Sequence, residues 1–194
     1  MCRFVEAVCM KNGMAEHLEY HQKRLEKTFA KFFPGKEVPE LDDLIPAMPD
    51  RKKYKWRIVY DGSDLESFVQ EYEQRSFSTV HVEPADFDYS YKYEDRSAIR
   101  NACAGKPADC CVLFSKDGWL TDSFFSNIAL LKNGVWYTPA QPLLEGVRRS
   151  VLLDKGLLVT KNIRARDVSD YEKISLINAM LDLNELTVVM QKKK

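Results

Sequence analysis

The sequence predicts a mixed α+β and α/β fold built in two parts. Residues 4–10 are rich in strand formers and residues 54–60 alternate like a strand, with an amphipathic helix between them. Further along, short apolar strands alternate with helical segments, as in α/β domains. Glu83 and Pro84 interrupt the pattern, so we place a domain boundary there. The expected parts are a small N-terminal α+β domain over residues 1–82 and a C-terminal α/β domain over residues 83–194.

Apolar spacing and turn residues define the elements of the N-terminal domain. The first strand ends at Asn12 and Gly13, a common turn pair. Pro34 and Gly35 end the helix, whose apolar face contains Leu18, His21, Leu25, Phe29 and Phe32. The spacing within residues 65–72 fits a helix as well as a strand, and we predict a strand. The remaining predictions are a short helix over residues 39–45 and strands over 54–60 and 76–82.

In the C-terminal domain the turn and cap residues are more informative than the strands. Asp95 is placed to cap a helix that ends near Ala104. Asn133 and Gly134 form a strong hairpin signal, and Gly156 ends a helix that begins after Gly146. The predicted strands lie at residues 110–115, within 119–131, and at 135–137, 157–163, 173–180 and 186–190, with one helical turn at 168–171.

The composition argues against several classes of protein. The 29 basic and 29 acidic residues balance, so the net charge does not favour a nucleic-acid or membrane partner. No apolar run approaches the roughly 20 residues of a membrane span. The five cysteines lack metal-ligand spacing, so we expect reduced thiols, no metal site and a cytoplasmic protein. The first ten residues are too short for a signal peptide, and Lys192, Lys193 and Lys194 read as a solvated tail.

Lys92 is the residue around which chemistry could be organised. It lies among three tyrosines in residues 88–95, just before a predicted helix. An amine attacks a carbonyl only in its neutral form, and partial burial lowers a lysine pKa toward that form. Taken alone, this stretch fits an exposed lysine on an aromatic strand better than a nucleophile.

Three other polar positions are unusual for their surroundings. Asp122 lies in an apolar strand and, if buried, needs a cationic partner such as a protonated pyridine nitrogen. Gly146 precedes a helix whose free N–H groups can bind an anion. Asn178 interrupts an apolar run and can donate to a ligand. Each also fits a purely structural role: a solvent-facing acid, a loop glycine and a side chain that satisfies neighbouring backbone.

Together with Arg24, on the flank of the first helix, these residues meet the needs of pyridoxal phosphate. A lysine forms a Schiff base with the cofactor, and an acid keeps its ring nitrogen protonated. An arginine and a helix start can hold its phosphate.

The surrounding motifs resemble those of the class IV (fold type IV) pyridoxal-phosphate enzymes, which include branched-chain and D-amino acid aminotransferases and aminodeoxychorismate lyase. Five matches occur in the family's order over residues 17–180. Residues 21–25 resemble the H-x-x-R-L helix, and residues 91–96 resemble the segment with the Schiff-base lysine. Residues 121–127 resemble the T-E-x-x-x-x-N strand, residues 138–139 with 146–149 the T-P and G-I/V-x-R phosphate turn, and residues 177–180 the lyase's C-N-A-L/M corner.

The resemblance implies a site and an architecture. Lys92 would be the catalytic residue and form the internal aldimine, and the cofactor-binding residues would be Arg24, Lys92, Asp122, Asn127, Gly146, Val147, Arg148, Asn178 and Ala179. It also implies an N-terminal α+β domain, an open barrel-like C-terminal domain that carries the lysine, and the cofactor between them. The expected partners are a small-molecule amino substrate and a second copy of the chain in a homodimer.

Three readings of the activity remain open. The first is an aminotransferase that acts on an amino acid or a similar amine. The second is a 4-amino-4-deoxychorismate lyase, which releases 4-aminobenzoate and pyruvate and is favoured by the corner around Asn178. The third is a non-catalytic relative, because the family's usual N-terminal segment with its D-R-G and G-D-G motifs has no counterpart here. Asp122 also stands where the family has glutamate, one methylene longer.

Overall fold

The computed structural model describes residues 2–189 and places the chain in two compact units. The first unit comprises Met1–Gln74 and Tyr91–Asp95, and the second comprises Arg75–Ser90 and Arg96–Lys194. The segment that carries Lys92 therefore lies in the first unit, whereas the sequence pattern predicts it in the C-terminal domain. The expected tail at Lys192–Lys194 and the last residue of the expected strand 186–190 lie outside the described residues.

The first unit is an antiparallel four-stranded sheet with one long helix. The strand order is β2-β1-β3-β4. Helix α1 is amphipathic because residues three and four positions apart share a face, and Leu25 and Phe29 on that face are buried with Trp56 in the core. The strand prediction for residues 65–72 is confirmed by β4. The elements are β1 (Phe4–Lys11), β2 (Met14–Ala15), α1 (Leu18–Phe32), a 3-10 helix (Leu41–Leu44), β3 (Tyr54–Tyr60) and β4 (Leu65–Glu71).

The segment Tyr91–Asp95 runs along the first half of β1. The backbone N–H of Val5 donates to the carbonyl of Lys92 over 2.9 Å, and Phe4 and Tyr93 form an antiparallel bridge. Because Glu6 follows Val5 on β1, this pairing fixes Lys92 beside the strand that carries Glu6.

The second unit contains two sheets. In the three-stranded sheet β5-β6-β7, β5 is parallel to β6 and β6 is antiparallel to β7. The five-stranded sheet has the order β10-β9-β8-β11-β12. The elements are β5 (Thr79–Pro84), α2 (Ser97–Ala102), β6 (Cys110–Lys116), β7 (Trp119–Ser123), β8 (Asn127–Lys132), β9 (Val135–Pro139), α3 (Val147–Asp154), β10 (Val159–Lys161), a 3-10 helix (Ala165–Asp170), β11 (Lys173–Ile177) and β12 (Thr187–Val189).

Three local predictions differ from the structure. Asp95 is not the helix cap: Arg96 occupies the N-cap of α2, and no side chain caps that helix. Pro84 does not break β5 but ends it, which is tolerated because β5 is an edge strand and proline lacks only the N–H donor. The strand expected over residues 173–180 ends at Ile177, because Asn178 and Leu181 pair with each other across a tight turn.

Within residues 2–189, no helix is both long and apolar enough to cross a membrane.

Candidate functional site

The structure divides the predicted site residues between the two units. Arg24 and Lys92 belong to the first unit. The remainder belong to the second unit: Asp122, Asn127, Gly146, Val147, Arg148, Asn178 and Ala179. Within the second unit Asp122 and Asn127 are hydrogen-bonded to each other, and within the first unit Lys92 is bonded to β1.

In the first unit, the carboxylate of Glu6 organises the site. Glu6 is fully buried, and its Oε1 and Oε2 accept hydrogen bonds from Nε and Nη2 of Arg24 over 2.8 and 2.6 Å. Its Oε2 also lies 2.6 Å from Nδ1 of His21, one turn before Arg24 on α1. A two-point contact fixes the plane of a guanidinium as well as its position. Glu6 therefore orients Arg24, and the side chain of Arg24 keeps 12% exposure.

The charge states of this network follow from burial and pairing. Burial acts to raise the pKa of Glu6, but the charge and hydrogen bonds of Arg24, together with His21, outweigh it and hold that pKa well below its usual range. Burial lowers the pKa of His21, so its imidazole is neutral at neutral pH. Because an ionised carboxylate only accepts, the His21 proton is on Nδ1 and faces Glu6.

Lys92 lies close enough to this network to affect it. Its positive charge is among the causes that lower the pKa of His21. Lys92 is half-buried, and its backbone carbonyl is anchored to β1 at Val5. The first unit thus places the side chain of Arg24 on Glu6 and the backbone of Lys92 on Val5, the neighbouring residue of β1.

In the second unit, Asp122 and Asn127 hold the loop that leads into α3. Asp122 Oδ1 accepts from Nδ2 of Asn127 over 2.6 Å, and Oδ2 accepts from the backbone N–H of Leu144 over 2.9 Å. Asn127 Nδ2 also donates to the carbonyl of Leu144 over 2.8 Å. Burial raises the pKa of Asp122 to about 6, although the bonds from Leu144 and Asn127 and the charge of Arg149 act to lower it. The acid is therefore buried, largely ionised at neutral pH, and bonded to the loop.

The first turn of α3 offers backbone donors without a side-chain cap. Gly146 is the N-cap in an extended conformation, and no side chain caps the helix. The first N–H groups of a helix have no partner inside it and carry a partial positive charge. Arg149 connects this turn to the end of β9, since its Nη2 donates to the carbonyl of Pro139 over 2.9 Å. The contact links the predicted T-P and G-V-x-R segments in the structure.

The second predicted phosphate corner contacts the same helix. The Arg148 guanidinium lies 3.3 Å from the carbonyl of Ala179 and 3.3 Å from Oδ2 of Asp182. The Asn178 side chain accepts from the N–H of Met180 over 2.8 Å, which fixes the backbone around Ala179. The side chain of Arg148 is thus directed to this corner.

Gly146 is required by close packing against Asn127. A Cβ at position 146 would lie 2.0 Å from Oδ1 of Asn127, far below any normal contact. We expect Gly146→Ala to displace Asn127, break its bonds to Asp122 and Leu144, and lower the free energy of unfolding by about 1–3 kcal/mol. Urea unfolding of both proteins measures this loss.

The control for this prediction is the same substitution in an Asn127→Ala background. If the collision with Asn127 is the cause, Gly146→Ala costs much less there, because the colliding atom is gone. An equal cost in both backgrounds would contradict the packing explanation.

Several residues of these networks were missed from the sequence. His21 stands within a matched motif and Glu6 lies on the first predicted strand, but no role was predicted for either. The signal that could have identified Glu6 is an acid between the apolar residues Val5 and Ala7 of a buried strand. Leu144 contributes only backbone groups, so its sequence identity carries no signal.

Comparison with known proteins agrees with this architecture. A family model described as amino-transferase class IV matches residues 3–185. An uncharacterized protein of Haemophilus influenzae is 30% identical over 181 residues, which cover 90% of this chain and 96% of that protein.

Two solved structures are similar to this chain in their three-dimensional fold. One from Haemophilus somnus 129pt, described as a candidate 4-amino-4-deoxychorismate lyase, is 30% identical and matches with a TM-score of 0.88 over 94% of this chain and 98% of that chain. The PLP-bound form of a hypothetical aminotransferase from Mycobacterium tuberculosis is 17% identical, with a TM-score of 0.75 over 97% of this chain and 80% of that one.

The chain belongs to the class IV aminotransferases. Its fold is the one shared by fold type IV aminotransferases and aminodeoxychorismate lyases, as the motifs predict.

Proposed function

We propose that the protein is a pyridoxal-phosphate-dependent aminotransferase that acts on an amino acid or a similar amine, with Lys92 as its catalytic residue. Family membership and the pairing of Lys92 with β1 support this proposal. The observation that carries it is the two-point contact between Arg24 and the buried carboxylate of Glu6. Glu6 follows Val5, to which the backbone of Lys92 is bonded.

The residues of the first unit fit this cofactor. A phosphate needs a fixed cation, and Arg24 is fixed by Glu6 while keeping part of its guanidinium exposed. An aldehyde needs an amine on a well-anchored backbone, and the carbonyl of Lys92 is bonded to β1. Arg24 would therefore hold the phosphate, and Lys92 would hold the aldehyde carbon.

The residues of the second unit fit it as well. The uncapped first turn of α3 suits a phosphate, with the backbone N–H groups of Val147 and Arg148 as donors. The corner at Asn178 and Ala179 would add a further backbone contact. Asp122 is the buried acid that would face a protonated ring nitrogen, because a carboxylate has about four acceptor positions and its bonds to Asn127 and Leu144 occupy two of them.

The chain's own groups would then carry the proton transfers. When bound, pyridoxal phosphate supplies an electron sink for the charge left on a carbon that loses its proton. Lys92 Nζ would take a proton from one carbon of the bound amine and return it to another, which is general acid–base catalysis.

The second reading, a 4-amino-4-deoxychorismate lyase, is favoured by one comparison. The Haemophilus somnus structure described in those words is 30% identical to this chain over most of its length. Elimination would use the same lysine as the proton carrier, so the residues described above fit either reaction.

Product analysis separates the two reactions. The protein is loaded with pyridoxal phosphate and given L- and D-amino acids with a 2-oxo acid acceptor, and the amino acid formed is measured. We expect acceptor-dependent transfer of the amino group. Pyruvate formed from 4-amino-4-deoxychorismate without any acceptor would instead establish the lyase, and no product in either assay would favour the non-catalytic relative.

We further propose that the enzyme is a cytoplasmic homodimer. The family resemblance supports the dimer, and five cysteines without metal-ligand spacing support a reducing compartment. Light scattering of the purified protein tests the dimer directly.

A further inference from the structure

We propose that Asp122 is a positioning residue for the anion-binding turn, where it clamps residues 143–146 in the conformation that starts α3. The inference rests on the proposed function for the identity of the anion. It goes beyond that function because it gives Asp122 a role that does not require the pyridine ring.

The contacts of Asp122 are directed at the loop from both oxygens. One oxygen accepts the N–H of Leu144 over 2.9 Å, and the other accepts Nδ2 of Asn127 over 2.6 Å. Asn127 Nδ2 reaches on to the carbonyl of Leu144, so both backbone groups of Leu144 are held by side chains from β7 and β8. Asp122 and Asn127 are each only 5% exposed, so water competes little with these bonds.

Close packing at Gly146 also restricts where the loop can lie. The space for a Cβ at residue 146 is already filled by Oδ1 of Asn127. The Asn127 side chain therefore contacts both Gly146, the N-cap of α3, and Leu144, two residues before it. Movement of Asp122 or Asn127 would be passed to the N–H groups of the first helical turn.

The clamp also favours aspartate over glutamate at position 122. An added methylene would move the carboxylate oxygens by about 1.5 Å, one C–C bond length. Such a shift would change the bonds to both Asn127 and Leu144 unless the loop moved with the carboxylate. The shorter acid matches the position of Leu144 in this chain.

Charge and positioning predict opposite effects when Asp122 becomes asparagine. As a charge alone, Asp122 repels an anion, so its loss would strengthen phosphate binding. As a clamp, it must accept two donors, whereas an asparagine offers one acceptor oxygen and turns an NH2 group toward either Leu144 or Asn127. Its loss would then release the loop and weaken phosphate binding.

The test uses the protein without pyridoxal phosphate. Amide hydrogen exchange of Leu144 is measured in wild type and Asp122→Asn, and inorganic phosphate is titrated into both. We expect exchange at Leu144 to rise at least about tenfold, since bonds to charged groups are among the stronger ones, and phosphate affinity to fall. The matched control is Asp170→Asn, which removes an exposed acid of the same unit and should change neither quantity.

Each outcome decides one proposal. Unchanged exchange at Leu144, or phosphate affinity that stays equal or rises in Asp122→Asn, overturns the clamp. If wild type itself does not bind phosphate, the anion site at α3 is overturned, and the exchange data still decide whether Asp122 holds the loop.

A measurement on wild type covers the case in which the variant does not fold. Burial raises the pKa of Asp122 to about 6, while the N–H groups of the loop and of Asn127 and the charge of Arg149 on α3 act to lower it. The charge of Glu145, in the same loop, acts on Arg149. As pH falls through about 6, the carboxyl gains a proton and loses acceptor capacity. Protection of the Leu144 amide, corrected for intrinsic exchange, should fall over that range, and a constant value would contradict the clamp.

Discussion

Lys92→Ala is expected to abolish amino transfer while leaving the protein folded. Without the amine there is no covalent attachment of the cofactor and no group to carry the proton between carbons, and general acid–base catalysis alone contributes about 10²–10⁴-fold. We therefore expect the turnover rate to fall by roughly a thousand-fold or more. Steady-state kinetics with pyridoxal phosphate in excess measure the loss.

The control variant is Lys11→Ala, which removes an exposed lysine from the C-terminal end of β1 in the same unit, whereas Lys92 pairs near the start of that strand. It should keep the wild-type rate, and both variants should unfold at similar urea concentrations. Turnover of Lys92→Ala within a few-fold of wild type would show that another residue performs the chemistry.

Glu6→Gln is expected to have the largest effect on stability. The carboxylate is fully buried and accepts three hydrogen bonds from Arg24 and His21. A glutamine offers one acceptor oxygen and a donor in place of the second, so Arg24 loses its buried counter-charge. Removing one partner of a buried ion pair costs about 3–5 kcal/mol, and urea unfolding at pH 7 should show a loss of that order.

The pH dependence of this loss has a definite sign. The folded-state pKa of Glu6 is held below its unfolded value, so its stabilisation is present above the unfolded pKa and is lost as pH falls toward the folded pKa. The gap between wild type and Glu6→Gln should therefore be constant near neutral pH and narrow below about pH 4.3.

An exposed ion pair on the same unit provides the comparison for Glu6. Glu66 lies 2.8 Å from Arg3, with 59% of its side chain exposed. Because exposed pairs contribute about 0–1 kcal/mol, Glu66→Gln should cost little. Equal losses for the two glutamates would contradict a structural role specific to Glu6.

The sequence predicts the fold well where apolar spacing is regular. The face of α1 and the alternation of β3 set the core of the first unit, and both elements lie where the pattern places them. The end of the strand at Ile177 could not be predicted, because it depends on Asn178 and Leu181 pairing across a turn rather than on apolarity. The predicted cap of α2 at Asp95 was wrong for a similar reason, because a residue type that often caps helices does not guarantee the backbone geometry of a cap.

The predicted site residues come from motif order, whereas the contacts that support them could not be predicted. Arg24 could be singled out as a cation on a helix flank, but its orientation depends on Glu6, 18 residues earlier on a strand. Likewise Asp122 suggests a ring-nitrogen partner, whereas its bond to the backbone of Leu144 is visible only when β7 and the loop before α3 are folded. Long-range hydrogen bonds to backbone leave no pattern in the sequence.

Mapping the covalent attachment of pyridoxal phosphate is the most direct test of the central claim. The protein is incubated with the cofactor, reduced with borohydride, digested, and its peptides are weighed by mass spectrometry. We predict one modified lysine, Lys92, with the label absent from Lys92→Ala. Modification spread over exposed lysines, or none above background, would contradict the assignment of this chain as a pyridoxal-phosphate enzyme that uses Lys92.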